Sequence, residues 1–329
     1  MRTFLFSLHR AVLCVLAACW LAPGMAATRA DKIRQKLDDP SAGIFIAAHR
    51  GCHNASPRLA LPAVPENSRA ALEHCVQLGV DMMELDVRRA ADGTLVVIHD
   101  ATVDRTTDGR GKVADMTLAQ LKRLRLKQNL GGAMSPELSD ERVQTLAEML
   151  EAAKGRIMLN LDVKDERDIY AEVVAQASAH GMARYVLVKN VVDGNTTQAQ
   201  ADLPTFADVP YMPVVGPWAG SQAASHGPAQ IVARQLAAQR KPVGVELVFL
   251  PQAQFKPVQE LAARAGVRLW ANTLTAVGVI SVIGKGGDLE ALRTSGRAWA
   301  ELFAAGIDTV QTDEPGPLLD FLEREGIKH

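Results

Sequence analysis

The chain has 329 residues, of which 48% are hydrophobic and 22% charged, enough apolar material for a large core and outside the range of disordered segments. Its 36 Lys and Arg against 37 Asp and Glu are scattered rather than gathered into a basic stripe, which sets nucleic acid aside as a partner. Such a length suits one large α/β domain or two small ones.

The N-terminus, "MRTFLFSLHRAVLCVLAACWLAPGMAATRA", sets Arg2 and Arg10 before an apolar run too short to span a bilayer and ends it in small residues. Residues 1–26 read as a cleaved secretory signal, and the mature protein is expected in the periplasm. A rival cut at "LAAC" would leave a lipoprotein anchored through Cys19. No other segment is long and apolar enough to cross a membrane.

Residues 27–43 form an N-terminal segment with a helix expected over Asp31 to Leu37. Short apolar runs then alternate with helical patterns to the end of the chain. The strand candidates are Ile44 to Ala48, Met82 to Val87, Ile157 to Val163, Tyr185 to Val188, Met212 to Val215, Val243 to Val248, Val267 to Ala271 and Thr309 to Thr312. Between them lie stretches such as "SRAALEHCVQLG", "TLAEMLEAAKG" and "PVQELAARAG", each closing on a glycine suited to a helix C-cap. Eight such units predict an α/β fold, a (β/α)8 TIM barrel over 44–329. A doubly wound open sheet, the alternative, normally uses fewer strands. "TLVVIHD" reads as an extra strand after the second, and about 101–143 as a small insertion over the barrel mouth.

The mature chain keeps two cysteines, Cys52 and Cys75. An oxidising compartment permits a disulfide between them, but two separate thiols, with Cys75 packed on a helix face, is the expectation, because spacing does not fix the Cα separation a bridge needs.

In a barrel, alternate side chains face inward and strand C-termini point into the mouth. In "MMELDVR" Leu85 and Val87 would face the helices while Glu84 and Asp86 share the inner face. In "IMLNLDVKD" Asp162 and Lys164 do the same. Three converging carboxylates would repel one another without a neutralising cation, and an all-oxygen set suits Mg²⁺ or Ca²⁺. His49 and Arg50 end the first strand at this mouth, and His99 closes "TLVVIHD" nearby. Two histidines beside a carboxylate cluster and two cations, Arg50 and Lys164, point to catalysis.

The motifs "AHRG", "PENS", "ELDVRRAADGTLVVIHD", "DRTTDGRGKV" and "GIDTVQTDEP" resemble those of glycerophosphodiester phosphodiesterases, from about Ile44 to Phe321. The resemblance implies metal-dependent cleavage of a small-molecule glycerophosphodiester to glycerol 3-phosphate and an alcohol. It also implies His49 and His99 as general acid and base, and Glu84 and Asp86 as metal ligands. The family's third ligand is usually a Glu two residues before a Lys, whereas here Asp162 precedes Lys164. Arg50 and Lys164 would hold the phosphate. Glu66 of "PENS" is expected either in the metal's outer shell or capping the following helix.

Cys52 to Val64 departs from the family pattern, lengthening the step between "HRG" and "PEN". One rival function is a lyase of the sphingomyelinase D kind, which would need an apolar platform for lipid, with Trp218 and Trp270 as pocket candidates. Another is a secreted protein that binds phosphodiesters without turnover. The Gly-rich "GVISVIGKGGDLEA" is a candidate specificity element.

Overall fold

A computed structural model describes residues 26–165, 169–192, 203–216, 227–275 and 286–329. The expected signal with Cys19, Trp218, and most of the Gly-rich element lie outside the described residues.

The chain starts with helix α1 (Arg29–Asp38), whose first turn is closed by a reciprocal cap between Thr28 and Asp31. Strand β1 (Phe45–Ala48) follows, then α2 (Arg69–Leu78), β2 (Met82–Arg89) and β3 (Leu95–Val97). Next come α3 (Leu118–Leu121), the hairpin β4 (Arg125–Lys127) and β5 (Leu138–Arg142), then β6 (Gln144–Thr145) and α4 (Leu146–Ala153). The chain continues through β7 (Met158–Val163), α5 (Tyr170–Ala179), β8 (Val186–Val191), β9 (Tyr211–Val215), α6 (Pro228–Leu236) and β10 (Gly244–Leu247). It ends with α7 (Gln252–Ala265), β11 (Arg268–Asn272), α8 (Asp288–Arg293), α9 (Arg297–Ala304), β12 (Thr309–Thr312) and α10 (Pro315–Arg324).

Strands β1, β2, β7, β8, β9, β10, β11 and β12 pair in that order, all parallel, and β12 returns to β1 to close the barrel. These are the eight apolar runs read from the sequence, shifted by one to three residues at some ends. Both faces of a parallel barrel strand are covered, which is why these runs are nearly continuously apolar.

The outward set, including Ile46, Leu85, Leu161 and Val310, packs on the helices in one large core. The inward set Phe45, Ala47, Met82, Met158, Leu187, Met212 and Trp270 fills the barrel with Ile33 and Leu37 of α1. Helix α1 therefore plugs the bottom of the barrel. Arg268, fully buried, fastens it by donating to the main-chain carbonyls of Lys36, Leu37 and Asp39.

The excursion after β2 runs longer than a crossover helix needs. β3 pairs antiparallel with β2 and β6 with β3. The expected insertion packs Val103, Val113, Leu121, Leu126 and Val143 against Val96 of β3 and Ile98 just after it in a small separate core. It therefore stands as a packed lobe beside the mouth.

The expectation of two separate thiols is corrected here: Cys52 and Cys75 form a disulfide across Cα atoms 5.1 Å apart. Left-handed Gly51 lets the chain turn back at once after β1, and a Cβ there would lie 2.7 Å from that of Ala71 on α2. That turn sets Cys52 against α2 within reach of Cys75.

The bridge closes a 23-residue separation, for which loop entropy predicts a contribution of about 3 kcal/mol. Replacing both cysteines by Ala is expected to lower the unfolding free energy in urea by about that amount. Equal midpoints for wild type and variant would contradict the bridge's role.

Candidate active site

Strand pleating turns Glu84 and Asp86 of β2 inward, and the parallel register sets Asp86 directly opposite Asp162 of β7. One carboxylate oxygen from each of the three lies within 4.8 Å of the others. Glu84 and Asp86 are buried, while Asp162 is partly open at the rim.

Each buried acid has one oxygen in a hydrogen bond and one outside any. Glu84 Oε2 accepts the main-chain N–H of Arg50 at 2.7 Å, and its Oε1 has no hydrogen-bond partner. Asp86 Oδ2 accepts from Asn67 Nδ2 at 2.7 Å, and Asn67 Oδ1 takes the Asp86 N–H at 3.1 Å. Asp86 Oδ1 has no hydrogen bond, though Lys164 Nζ stands 3.1 Å away and bonds Asp162 Oδ2 at 2.7 Å.

Burial and then the charges of Asp86 and Asp162 push the Glu84 carboxyl well above the usual range. Burial pulls Asp86 the same way, but Lys164 and Arg50 hold it well below that range. Unpartnered buried oxygens cost free energy unless something binds them. This donor set fits a hard divalent cation.

His49 continues the inward alternation of Phe45 and Ala47. Its Nδ1 meets Asp313 Oδ1, just past β12, at 2.8 Å, and burial pushes its pKa down. Arg50 takes a left-handed backbone at φ 52°, which swings its side chain across the mouth. Its Nε donates to His49 Nε2 at 3.3 Å and its Nη1 to Glu66 Oε2 at 3.1 Å. Arg105 grips the same Glu66 with bonds of 2.8 and 2.9 Å and reaches Asp100 at 2.8 Å. Asp100 in turn accepts from His99 Nδ1 at 2.7 Å.

Glu66 thus joins Arg50 to Arg105, while the cap of α2 is the Ser68 hydroxyl. Of its two expected places, the capping role falls to another residue. Arg50, His99, Asp100 and Arg105 line a cavity of about 420 Å³ with the insertion's Leu130 and Met134.

His49, Arg50, Glu66, Glu84, Asp86, Asp162 and Lys164 are brought into one linked network, with His99 on its rim. Trp270 is a correction: it is completely buried inside the barrel, where its Nε1 bonds Asn272 and Lys189 Nζ lies 4.3 Å over its ring. Its inward position on β11 turns it down among the core side chains instead of into the mouth.

Asn67, Arg105, Asp313 and His53 escaped the sequence reading. The first three sit inside the quoted motifs "PENS", "DRTTDGRGKV" and "TDEP", and for Asp313 alone a polar residue next to a strand end was the available signal. Asp288, from the described end of the Gly-rich element, accepts the Asp313 N–H at 2.9 Å and Trp299 Nε1 at 2.9 Å. Burial pushes the Asp288 pKa up to about 7.

Residues 49–203 match the glycerophosphoryl diester phosphodiesterase family, and this stretch holds His49, Glu84, Asp86, His99, Asp162 and Lys164. Residues 211–322 match a domain of unknown function.

Among curated relatives, a glycerophosphodiester phosphodiesterase of Caldanaerobacter subterraneus is 42% identical over 127 residues, 38% of this chain and 47% of that protein. Mouse glycerophosphodiester phosphodiesterase 1 is 36% identical over 132 residues, 40% of this chain and 37% of that protein. The chain therefore spans about half the length, or less, of these family members.

The crystal structure of an Agrobacterium tumefaciens glycerophosphodiester phosphodiesterase superposes with a TM-score of 0.59 at 24% identity, covering 84% of this chain and 99% of that one. An Oleispira antarctica phosphodiesterase solved with its product sn-glycerol-3-phosphate gives 0.56 at 22% identity, covering 86% and 98%. At these identities the likeness shows a shared barrel fold.

Asn67 holds Asp86 through both ends of its amide from a left-handed backbone at φ 56°. Asn67→Gly keeps that backbone accessible and deletes both bonds, so a loss of about 1–3 kcal/mol in urea unfolding is expected. An unchanged midpoint would show that the amide does not support the carboxylate.

Proposed function

We propose that this chain hydrolyses glycerophosphodiesters to sn-glycerol 3-phosphate and an alcohol. The observation that carries the reading is the pairing, in one buried mouth, of two carboxylate oxygens outside any hydrogen bond, one of them facing Lys164, with a histidine oriented by a carboxylate. The names of the relatives and the family match of residues 49–203 support it.

Glu84, Asp86 and Asp162 would hold the divalent cation, Ca²⁺ or Mg²⁺. When bound, it would supply positive charge against the phosphodiester oxygens. Lys164 and Arg50 offer cationic hydrogen-bond donors to the same anion as charge builds on it.

His49 donates its Nδ1–H to Asp313, which leaves Nε2 unprotonated, the form a general base needs, with Arg50 Nε its donor until substrate takes that place. It takes the proton of the attacking oxygen there. His99, its ring fixed by Asp100, gives a proton to the leaving alkoxide.

The lyase reading loses support because Trp270 is no mouth platform, and simple capture of a diester would not need an oriented imidazole. The Cys52–Cys75 bridge supports action in an oxidising compartment, in keeping with export to the periplasm.

A panel of glycerophosphodiesters and intact phospholipids, with and without chelator, tests the function. Chelator-sensitive release of glycerol 3-phosphate is expected, and activity confined to phospholipids would overturn the reading. Asp86→Asn should cut turnover by orders of magnitude while the fold survives. Normal chelator-sensitive turnover in that variant would remove Asp86 from the cation site.

His49→Ala and His99→Ala should each abolish most hydrolysis of a diester with a poor leaving group. On a nitrophenyl diester only the variant lacking the acid, assigned to His99, should recover. Recovery of His49→Ala alone would reverse the roles.

A further inference from the structure

We propose that Lys189 and Glu246, paired inside the barrel below the mouth, form a specificity site that holds the free terminal hydroxyl of the substrate's glycerol end. This rests on the reading of the chain as a glycerophosphodiester hydrolase.

Both side chains point into the barrel, Lys189 from β8 two residues after inward Leu187, and Glu246 from β10 between outward Val245 and Leu247. Lys189 Nζ lies 2.6 Å from Glu246 Oε2, across the intervening strand β9. Asn272 of β11 donates to Glu246 Oε1 at 2.8 Å and accepts the Trp270 Nε1–H at 2.9 Å. Gln311 Oε1 of β12 lies 3.4 Å from Lys189 Nζ and 3.3 Å from Asn160 Nδ2 of β7. No step of the proposed chemistry uses these polar side chains.

A buried ion pair is a poor way to stabilise a barrel, because apolar side chains of similar volume do as well or better. This one rests on the apolar layer of Leu187 and Trp270, and its two side chains keep 8% and 6% exposure. Helix α1 closes the other end of the barrel, so that opening faces the mouth.

Two acceptors in this chamber stand outside any hydrogen bond, Glu246 Oε2 and the fully buried Asn160 Oδ1. Lys189 can only donate, which makes Gln311 Oε1 an acceptor and turns Asn160 Nδ2 toward it, leaving Asn160 Oδ1 without a donor. What enters the chamber must therefore bring donors. An anion would meet Glu246 and a cation Lys189. An uncharged hydroxyl gives its hydrogen to Glu246 and accepts one from Lys189, leaving the charges of the pair balanced.

The place of the chamber suits the glycerol end. In the ring of eight strands β10 stands opposite β2. His99, which protonates the leaving alkoxide, lines the insertion's cavity on the β2 side, so the leaving alcohol lies there and the glycerol end points the other way. Leu161 of β7 lies beside Val188 of β8, and the next step along both strands sets Lys189 beside Asp162. Neighbouring strands are about 4.8 Å apart, close to the reach of glycerol from its esterified oxygen to its free terminal one. Glu246, Asn272 and Gln311 come from residues 211–322, outside the stretch that matches the phosphodiesterase family.

The test compares, with Ca²⁺ present, nitrophenyl phosphodiesters of glycerol and of propane-1,2-diol, each esterified at a terminal oxygen. The second lacks only the free terminal hydroxyl. Wild type should prefer the glycerol ester by roughly 100-fold in kcat/KM. Lys189→Met combined with Glu246→Gln removes both charges together, so no buried charge is stranded and the urea midpoint should stay near wild type. In that double variant the preference should fall below about 10-fold, with most of the loss on the glycerol ester. Calorimetric affinity for sn-glycerol 3-phosphate should fall toward that for propanediol phosphate.

A wild type that cleaves both esters alike overturns the site. So does a preference that survives in the double variant, or an equal slowing of both esters, the mark of a merely structural role. If the double variant does not fold, Glu246→Gln alone is put to the same comparison with the same outcomes. If the wild type cleaves neither ester, the proposed function falls, and calorimetric discrimination between the two phosphates then decides for or against the hydroxyl site.

Discussion

Three carboxylates held side by side on neighbouring parallel strands are the constraint around which the mouth is built. Glu84 and Asp86 share a strand face, and the β2–β7 register aligns Asp162 with Asp86. None can retreat without breaking the barrel ladder. Positive charge must therefore come to them, and Lys164, Arg50, the main-chain N–H of Arg50 and the side-chain amide of Asn67 supply part of it. Glu84 Oε1 is left without a hydrogen bond, buried out of bulk water's reach.

A second layer of charge compensation surrounds the first. Glu66 is clamped between Arg50 and Arg105, and Arg105 passes the connection to Asp100 and His99. The packed insertion thereby sets the position of His99, while β12 and the Cys52–Val64 loop set that of His49 through Asp313. The supports of the two histidines meet at the Arg50 guanidinium and again at Asn129 of the insertion, which bonds His53 and Asn54 beside Asp313. Such an arrangement lets one fixed carboxylate cluster serve different substrates through changes in the flanking loops.

Much of this was legible in the sequence because strand geometry is local. Side-chain alternation sends Glu84, Asp86 and Asp162 inward once Leu85 and Leu161 are known to face out. The eight apolar runs were enough to predict barrel closure. Relations between residues far apart in sequence were not legible. Asp313 lies 264 residues from His49, and nothing near either one announces the bond. The disulfide depended on how sharply Gly51 turns, and the burial of Trp270 on how far up β11 the mouth begins.

Anomalous diffraction from crystals soaked in Mn²⁺ tests the central claim most directly. The account predicts one strong peak within coordinating distance of Glu84 Oε1, Asp86 Oδ1 and the Asp162 carboxylate, with Lys164 displaced from between the acids. A soaked crystal with no density at that cluster, its Lys164 still bridging Asp86 and Asp162, would contradict it.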